Sequence, residues 1–111
     1  MKLPNADQAI IEPEKLHTYL LSLAHPVGRF KAEFFRSMGF SSDNWLSLSD
    51  GFRAQLRNDA KIKEKTDYGQ KFEIRGVLTG PSGKTGEIVT AWIVLTGEEI
   101  PRFITAYPGG Q

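Results

Sequence analysis

The chain contains no cysteine, which excludes a disulfide framework, a zinc–thiolate site and a thiol nucleophile, and fits a reducing cytosol. It has two histidines, His17 and His25, and they lack the HxxxH-type spacing of a metal pair. The acidic residues are scattered, without the pattern of a calcium loop, so no metal is expected. No window approaches the roughly 18 apolar residues of a membrane span, and "MKLPNADQAI" lacks the apolar core of a signal peptide. A soluble, cytoplasmic protein with no membrane partner is the expectation. No GxGxxG or Walker-type loop precedes a helix and there is no GxSxG elbow, so no cofactor is expected. "GPSGKTG" has glycines and a lysine but joins two strands, which makes it a hairpin. The net charge of +1 lacks the basic excess of a duplex-DNA binder.

What is present is ordinary for a globular fold. At 111 residues, with 40% apolar and 24% charged side chains, the chain can bury one core and reads as one domain, 1–111. "PEKLHTYLLSLA" opens with Pro13 and Glu14, suited to a first helical turn, and aligns Leu16, Tyr19, Leu20 and Leu23. His25-Pro26 interrupts it, and a second helix runs to about Met38, with Phe30, Phe34 and Met38 in line and Gly39 as its stop. A third starts with Ser42 or Asp43 as cap and buries Trp45, Leu48, Phe52 and Leu56. Residues 53–75 mix Arg53, Arg57, Lys61, Lys63, Lys65, Lys71 and Arg75 with Asp59, Glu64, Asp67 and Glu73. They read as a solvated, partly mobile linker, or as a patch facing nucleic acid. From Gln70 the period becomes two: "QKFEIRGVLT", "EIVTAWIVL" and "RFITAY" are strands, and "QAII" is a candidate fourth. Helices first and strands after predict an α+β domain, N-terminal helices packed on a C-terminal antiparallel β-meander of three to four strands.

Metal-independent acid–base chemistry remains open to such a chain. RNA cleaved by its own 2′-hydroxyl needs a base, an acid, and cations around the phosphoryl charge. His25 at a helix start, Arg29 one turn on, and Lys31 form such a set; they equally suit a helix flank with two solvated cations. His25 and Lys31 converge only if His25 lies outside the regular helix. On the strands, Thr90 and Trp92 share one side. Strict alternation puts Arg102 on one side of "PRFITAYP" and Thr105 and Tyr107 on the other, unless a bulge or the strand start frees the arginine. Core packing is the competing role for Trp92, and strand propensity for Thr90 and Thr105.

"KLHTYLLSLAHPVGRFKAEFFRSMGF", "TAWIV" and the closing "PRFITAYP" together resemble a small uncharacterised bacterial domain family, domain of unknown function 6883. Its members begin with "KLPNA", carry a His-x-x-Gly-x-x-Lys-Ala element and end in Pro-Arg, two hydrophobic residues and Thr-x-Tyr. The resemblance covers essentially the whole chain and maps those elements onto His25, Gly28, Lys31 and Ala32, and onto Pro101, Arg102, Thr105 and Tyr107; Thr90 and Trp92 match the middle strand. Relatives place Asn-Pro just before the histidine region, where this chain has Ser22, Leu23 and Ala24. The family is toxin-associated, often encoded beside a small antitoxin-like partner. By element order it is similar to the ribonuclease-toxin superfamily of barnase, bacterial EndoU domains, tRNase colicins and RelE.

That resemblance implies an endoribonuclease toxin domain cleaving structured RNA, such as tRNA. His25 would move a proton, Lys31 and Arg102 would hold the scissile phosphate, Thr90, Thr105 and Tyr107 would orient it, and Arg29 and Trp92 would bind substrate. Its partners would be RNA and a small antitoxin or immunity-like protein. The alternative is a non-catalytic interaction module that pairs with a small cognate protein through Trp45, Trp92, Phe103 and a sheet edge.

Overall fold

The computed structural model describes residues 1–16 and 29–109, with backbone alone at 29 and 30. The expectations for His17 and His25, for the first helix beyond Leu16, and for the side chains of Arg29 and Phe30 lie outside the described residues. Among the described residues the α-helices α1 (Arg29–Ser37) and α2 (Trp45–Ala54) precede four strands: β1 (Ala60–Lys65), β2 (Gly69–Thr79), β3 (Thr85–Leu95) and β4 (Arg102–Pro108). The strands form one antiparallel meander in the order β1-β2-β3-β4, so the α+β expectation holds. No helix among the described residues is long and apolar enough to cross a membrane.

The α1 helix ends where its sequence says it must. Gly39 takes φ of 100°, a left-handed conformation that costs other residues energy, and Phe40 N–H reaches back to Phe35 O at 3.2 Å while Gly39 N–H bonds Arg36 O at 2.9 Å. The carbonyl of Met38 is satisfied from the β2–β3 turn, by Ser82 N–H at 3.1 Å and the Ser82 hydroxyl at 2.9 Å. Ala32, Phe35 and Met38 form the buried stripe, with Phe34 only half-buried at its margin. The α2 helix begins one turn later than its polar cap predicts, because Ser42–Asn44 winds as a 3-10 turn in which the Asn44 side chain accepts Ser41 N–H at 2.7 Å. Leu48 and Phe52 are fully buried below it.

The register sorts the sheet into two faces. Ile74, Thr90 and Ala106 lie in one row and Phe72, Trp92 and Phe103 in the next, all buried beneath the helices. The layers meet through rings: Phe52 stacks on Phe103 at 5.0 Å, Phe35 meets Phe52 edge-on at 5.8 Å, and Trp92 meets Phe103 edge-on at 5.4 Å. Each fully buried aromatic of this kind stabilises the fold by about 2–3 kcal/mol.

Two expectations need correction. The stretch taken as a solvated linker contains β1, and "QAII" forms only an isolated parallel bridge, Ile10 with Arg102. The linker reading failed because β1 is an edge strand: Ala60 is its one buried residue, so it shows no apolar alternation. Lysines on such an edge also discourage pairing with another chain.

Candidate functional site

A bulge in β4 assembles the site. Thr105 pairs with Ala91 and Phe103 with Trp92, so Ile104 is the extra residue between them. Strict alternation would put Phe103 beside Thr105; the bulge turns Phe103 to the core and Thr105 to the open face. Arg102, opposite Ile93, and Tyr107, opposite Val89, then share that face with Thr105. The neighbouring strands add Glu73, paired with Ala91, Arg75, paired with Val89, and Lys71, paired with Ile93; Lys61 lies opposite Glu73.

Lys31 reaches this face from α1. Its ammonium donates to the Thr105 hydroxyl at 3.3 Å and lies 5.9 Å from the centre of the Tyr107 ring. The Tyr107 hydroxyl donates to Glu73 Oε2 at 2.9 Å, and Lys63 approaches Glu73 Oε1 at 3.6 Å, so each carboxylate oxygen has its own partner. Arg75 donates to Glu87 at 3.1 Å and to the carbonyl of Gly109 at 2.6 Å. A cleft of 520 Å³ opens beside this group, lined by Asp59, Ala60, Lys61, Lys63, Glu73, Arg75 and Val89. The phenol of Tyr107 holds its proton above the usual value of 10.0, chiefly through burial, then through its hydrogen bond to Glu73 and that carboxylate's charge; Arg75 opposes the shift.

The other expected site residues stand apart. Thr90 and Trp92 are fully buried under the helices, and the indole N–H donates to the Thr90 hydroxyl at 2.9 Å. Thr90 in turn meets Ile74 O at 3.4 Å. Arg102 shares the open face but its guanidinium is held by Glu98 at 3.2 Å, toward the β3–β4 turn. From sequence, Glu73, Arg75 and Lys63 stand only within the mixed-charge stretch 53–75, a linker or a patch facing nucleic acid, and not among the catalytic candidates. The available signal was the alternation in "QKFEIR", which puts Glu73 and Arg75 on one side of β2. Among the described residues no three His, Cys, Asp or Glu side chains group to hold a metal ion. What the face does offer is a carboxylate, a phenol, a hydroxyl and several cations, with Glu73, Lys61, Lys63 and Arg75 of this group lining the cleft; these are groups that bind a phosphodiester and move protons beside it.

The chain belongs to the family described as Domain of unknown function (DUF6883), which matches residues 2–110. No curated protein sequence matches it. Its fold is shared by a chain of a contact-dependent growth inhibition toxin–immunity protein complex from Klebsiella pneumoniae 342. The TM-score is 0.70 at 20% identity, covering 96% of this chain and 98% of that one.

Proposed function

We propose that this DUF6883 domain is the metal-independent endoribonuclease of a toxin–immunity pair, and that the open face of its sheet takes the RNA. The observation that carries the reading is the convergence, across 74 residues of sequence, of Lys31 on Thr105 beside the Tyr107–Glu73 pair. The fold shared with a chain from a toxin–immunity complex supports the pairing.

In this reading the Glu73 carboxylate takes the proton of the ribose 2′-hydroxyl, and the 2′ oxygen attacks the adjacent phosphorus. Lys31 and Arg75 neutralise the charge that grows on the phosphoryl oxygens. Tyr107 keeps its proton and orients both Glu73 and the substrate; Thr105 holds Lys31. The bond to the 5′ oxygen breaks, and that oxygen takes a proton from His25. Arg102, Thr90 and Trp92 act less directly, the first as a phosphate contact further along the strand and the others as the packing that holds the sheet.

One observation favours the non-catalytic alternative. Lys63, Lys71, Arg75 and Arg102 are already ion-paired with Glu73, Glu64, Glu87 and Glu98, so RNA must displace carboxylates to use them. Surface pairs of this kind are worth about 0–1 kcal/mol each, which a phosphate can outbid.

The test is incubation of the purified chain with RNA, followed by analysis of the ends, beside Glu73→Gln, Lys31→Ala and His25→Ala. Expected are 2′,3′-cyclic phosphate and 5′-hydroxyl ends, with cleavage lowered about a hundredfold or more in Glu73→Gln and His25→Ala. Ends carrying 5′-phosphate, or undiminished cleavage by Glu73→Gln, overturn the mechanism. Intact RNA with folded wild type assigns the chain to the binding role.

A further inference from the structure

We infer that Lys61 is a second phosphate site, holding the phosphate on the 5′ side of the ribose whose 2′-hydroxyl reacts. The open face then takes a nucleotide flanked by two phosphates; the polarity rests on the ribonuclease reading above. The register sets one row across the four strands: Lys61 opposite Glu73, Glu73 opposite Ala91, and Ala91 opposite Thr105. Strands lie about 4.8 Å apart, so Lys61 is roughly 5 Å to one side of Glu73 and Thr105 roughly 10 Å to the other. Lys31 ends the row, with its ammonium 3.3 Å from the Thr105 hydroxyl. The carboxylate of Glu73 thus stands between two cations, Lys61 on β1 and Lys31 beside β4.

Nothing in the cleft balances the charge of Lys61. Glu73 is its neighbour in register, yet the two carboxylate oxygens are taken by Lys63 at 3.6 Å and the Tyr107 hydroxyl at 2.9 Å. Asp59, which also lines the cleft, faces Lys2 at 3.3 Å, and Arg75 is held by Glu87 at 3.1 Å. Among the described residues Lys61 is exposed and has neither a hydrogen-bond nor an ion-pair partner. The unbalanced charge of the 520 Å³ cleft is therefore this one ammonium. An anion reaches it without displacing a carboxylate, which Lys63, Lys71, Arg75 and Arg102 all require. A lysine ammonium is a compact charge with three donors, so it serves a phosphate without demanding one orientation.

The connectivity of RNA gives the polarity. Each ribose lies between its own 5′-phosphate and the 3′-phosphate that its 2′-hydroxyl attacks. With that hydroxyl at Glu73 and the attacked phosphate on the Lys31 side, the 5′-phosphate runs toward β1, into the reach of Lys61. A ribose at the start of a strand with no 5′-phosphate lacks that second anion, so cleavage inside a chain is favoured over cleavage at its first linkage.

The probes are nucleoside 3′,5′-bisphosphates, which carry both phosphates and no nucleotide leaving group, beside the 3′-monophosphates and the 5′-diphosphates of the same four bases. Calorimetry at low salt compares wild type, Lys61→Ala, Lys61→Arg and Lys65→Ala, with thermal melts to confirm that each is folded. Lys65 is the control because it lies opposite Gln70, on the other face of the sheet. Expected is binding of the 3′,5′-bisphosphate about tenfold or more tighter than that of the 3′-monophosphate. Lys61→Ala should remove that advantage, and Lys61→Arg and Lys65→Ala should keep it. The 5′-diphosphate, with both phosphates on one side of the ribose, should gain less. Equal affinity for bisphosphate and monophosphate, an advantage that survives Lys61→Ala, or one that Lys65→Ala removes as fully overturns the proposal. Failure of every probe to bind also overturns it and leaves Lys61 to an acidic protein partner. Lys61-dependent binding with RNA left intact keeps the phosphate site and removes the ribonuclease reading. Cleavage of RNA with binding indifferent to Lys61 does the reverse.

Discussion

Thr90 is the sharpest place to separate core from site. It is fully buried, and its hydroxyl is the acceptor for the indole N–H of Trp92, itself fully buried, at 2.9 Å. Thr90→Val keeps the shape of the side chain and removes the oxygen. The Trp92 N–H is then left buried without that acceptor, at a cost of about 1–3 kcal/mol. The contact from Thr90 to Ile74 O, at 3.4 Å, is too long to add much. For a domain of this size each kcal/mol lowers the melting temperature by about 4 °C. The control is Trp92→Phe, which removes the N–H along with part of the ring. In that background Thr90→Val leaves no orphaned donor and should be nearly neutral, so the cycle should give a coupling of about 1–2 kcal/mol. Guanidinium unfolding followed by circular dichroism measures all four proteins. Equal stability of Thr90→Val and wild type, or the same loss in both backgrounds, refutes the buried hydrogen-bond account. Loss of RNA cleavage at full stability would mean that the hydroxyl meets substrate, contrary to its burial.

Lys31→Ala removes one partly exposed hydrogen bond and a cation beside a ring, so stability should change by no more than about 1 kcal/mol. RNA cleavage should fall at least about tenfold, read from initial rates. Tyr107 holds its proton more tightly in the fold than in the unfolded chain. Its contribution to stability is complete below the ordinary tyrosine range and is lost as pH rises above about 10 through the raised native value. Glu73→Gln should lower that value, and tyrosine-selective carbon NMR across an alkaline titration reads both. Gly39→Ala forces a side chain into φ of 100° with its Cβ 2.8 Å from Ser82 N, which should cost about 1–2 kcal/mol or more in denaturant unfolding while the cleavage rate per folded molecule is kept.

The legible part of the fold was its local part. The glycine that ends α1, the Leu48 and Phe52 stripe and the three apolar strands each follow from propensity and period within a few residues. The pairing of Thr90 with Trp92 on one face was legible too, but not which face the helices cover, since a threonine and a tryptophan suit either. The β1 strand escaped because an edge strand with one buried residue carries no periodic signal, only lysines.

The site was hidden for a stronger reason: it depends on a change of parity. Reading β4 by strict alternation separates Arg102 from Thr105 and Tyr107 and puts Phe103 with the latter two. One bulged residue reverses this, sending Phe103 onto Phe52 and the polar pair to the open face. A shift of one residue exchanges every side chain between core and solvent, so no composition or spacing within "RFITAY" could reveal it. The energy that holds the bulge lies elsewhere in the chain, in the stacking of Phe103 on Phe52 and its edge-on contact with Trp92. The same core that buries Trp92 thus positions Thr105 for Lys31 and Tyr107 for Glu73. For that reason substitutions under the helices should disturb the open face even where they touch nothing on it.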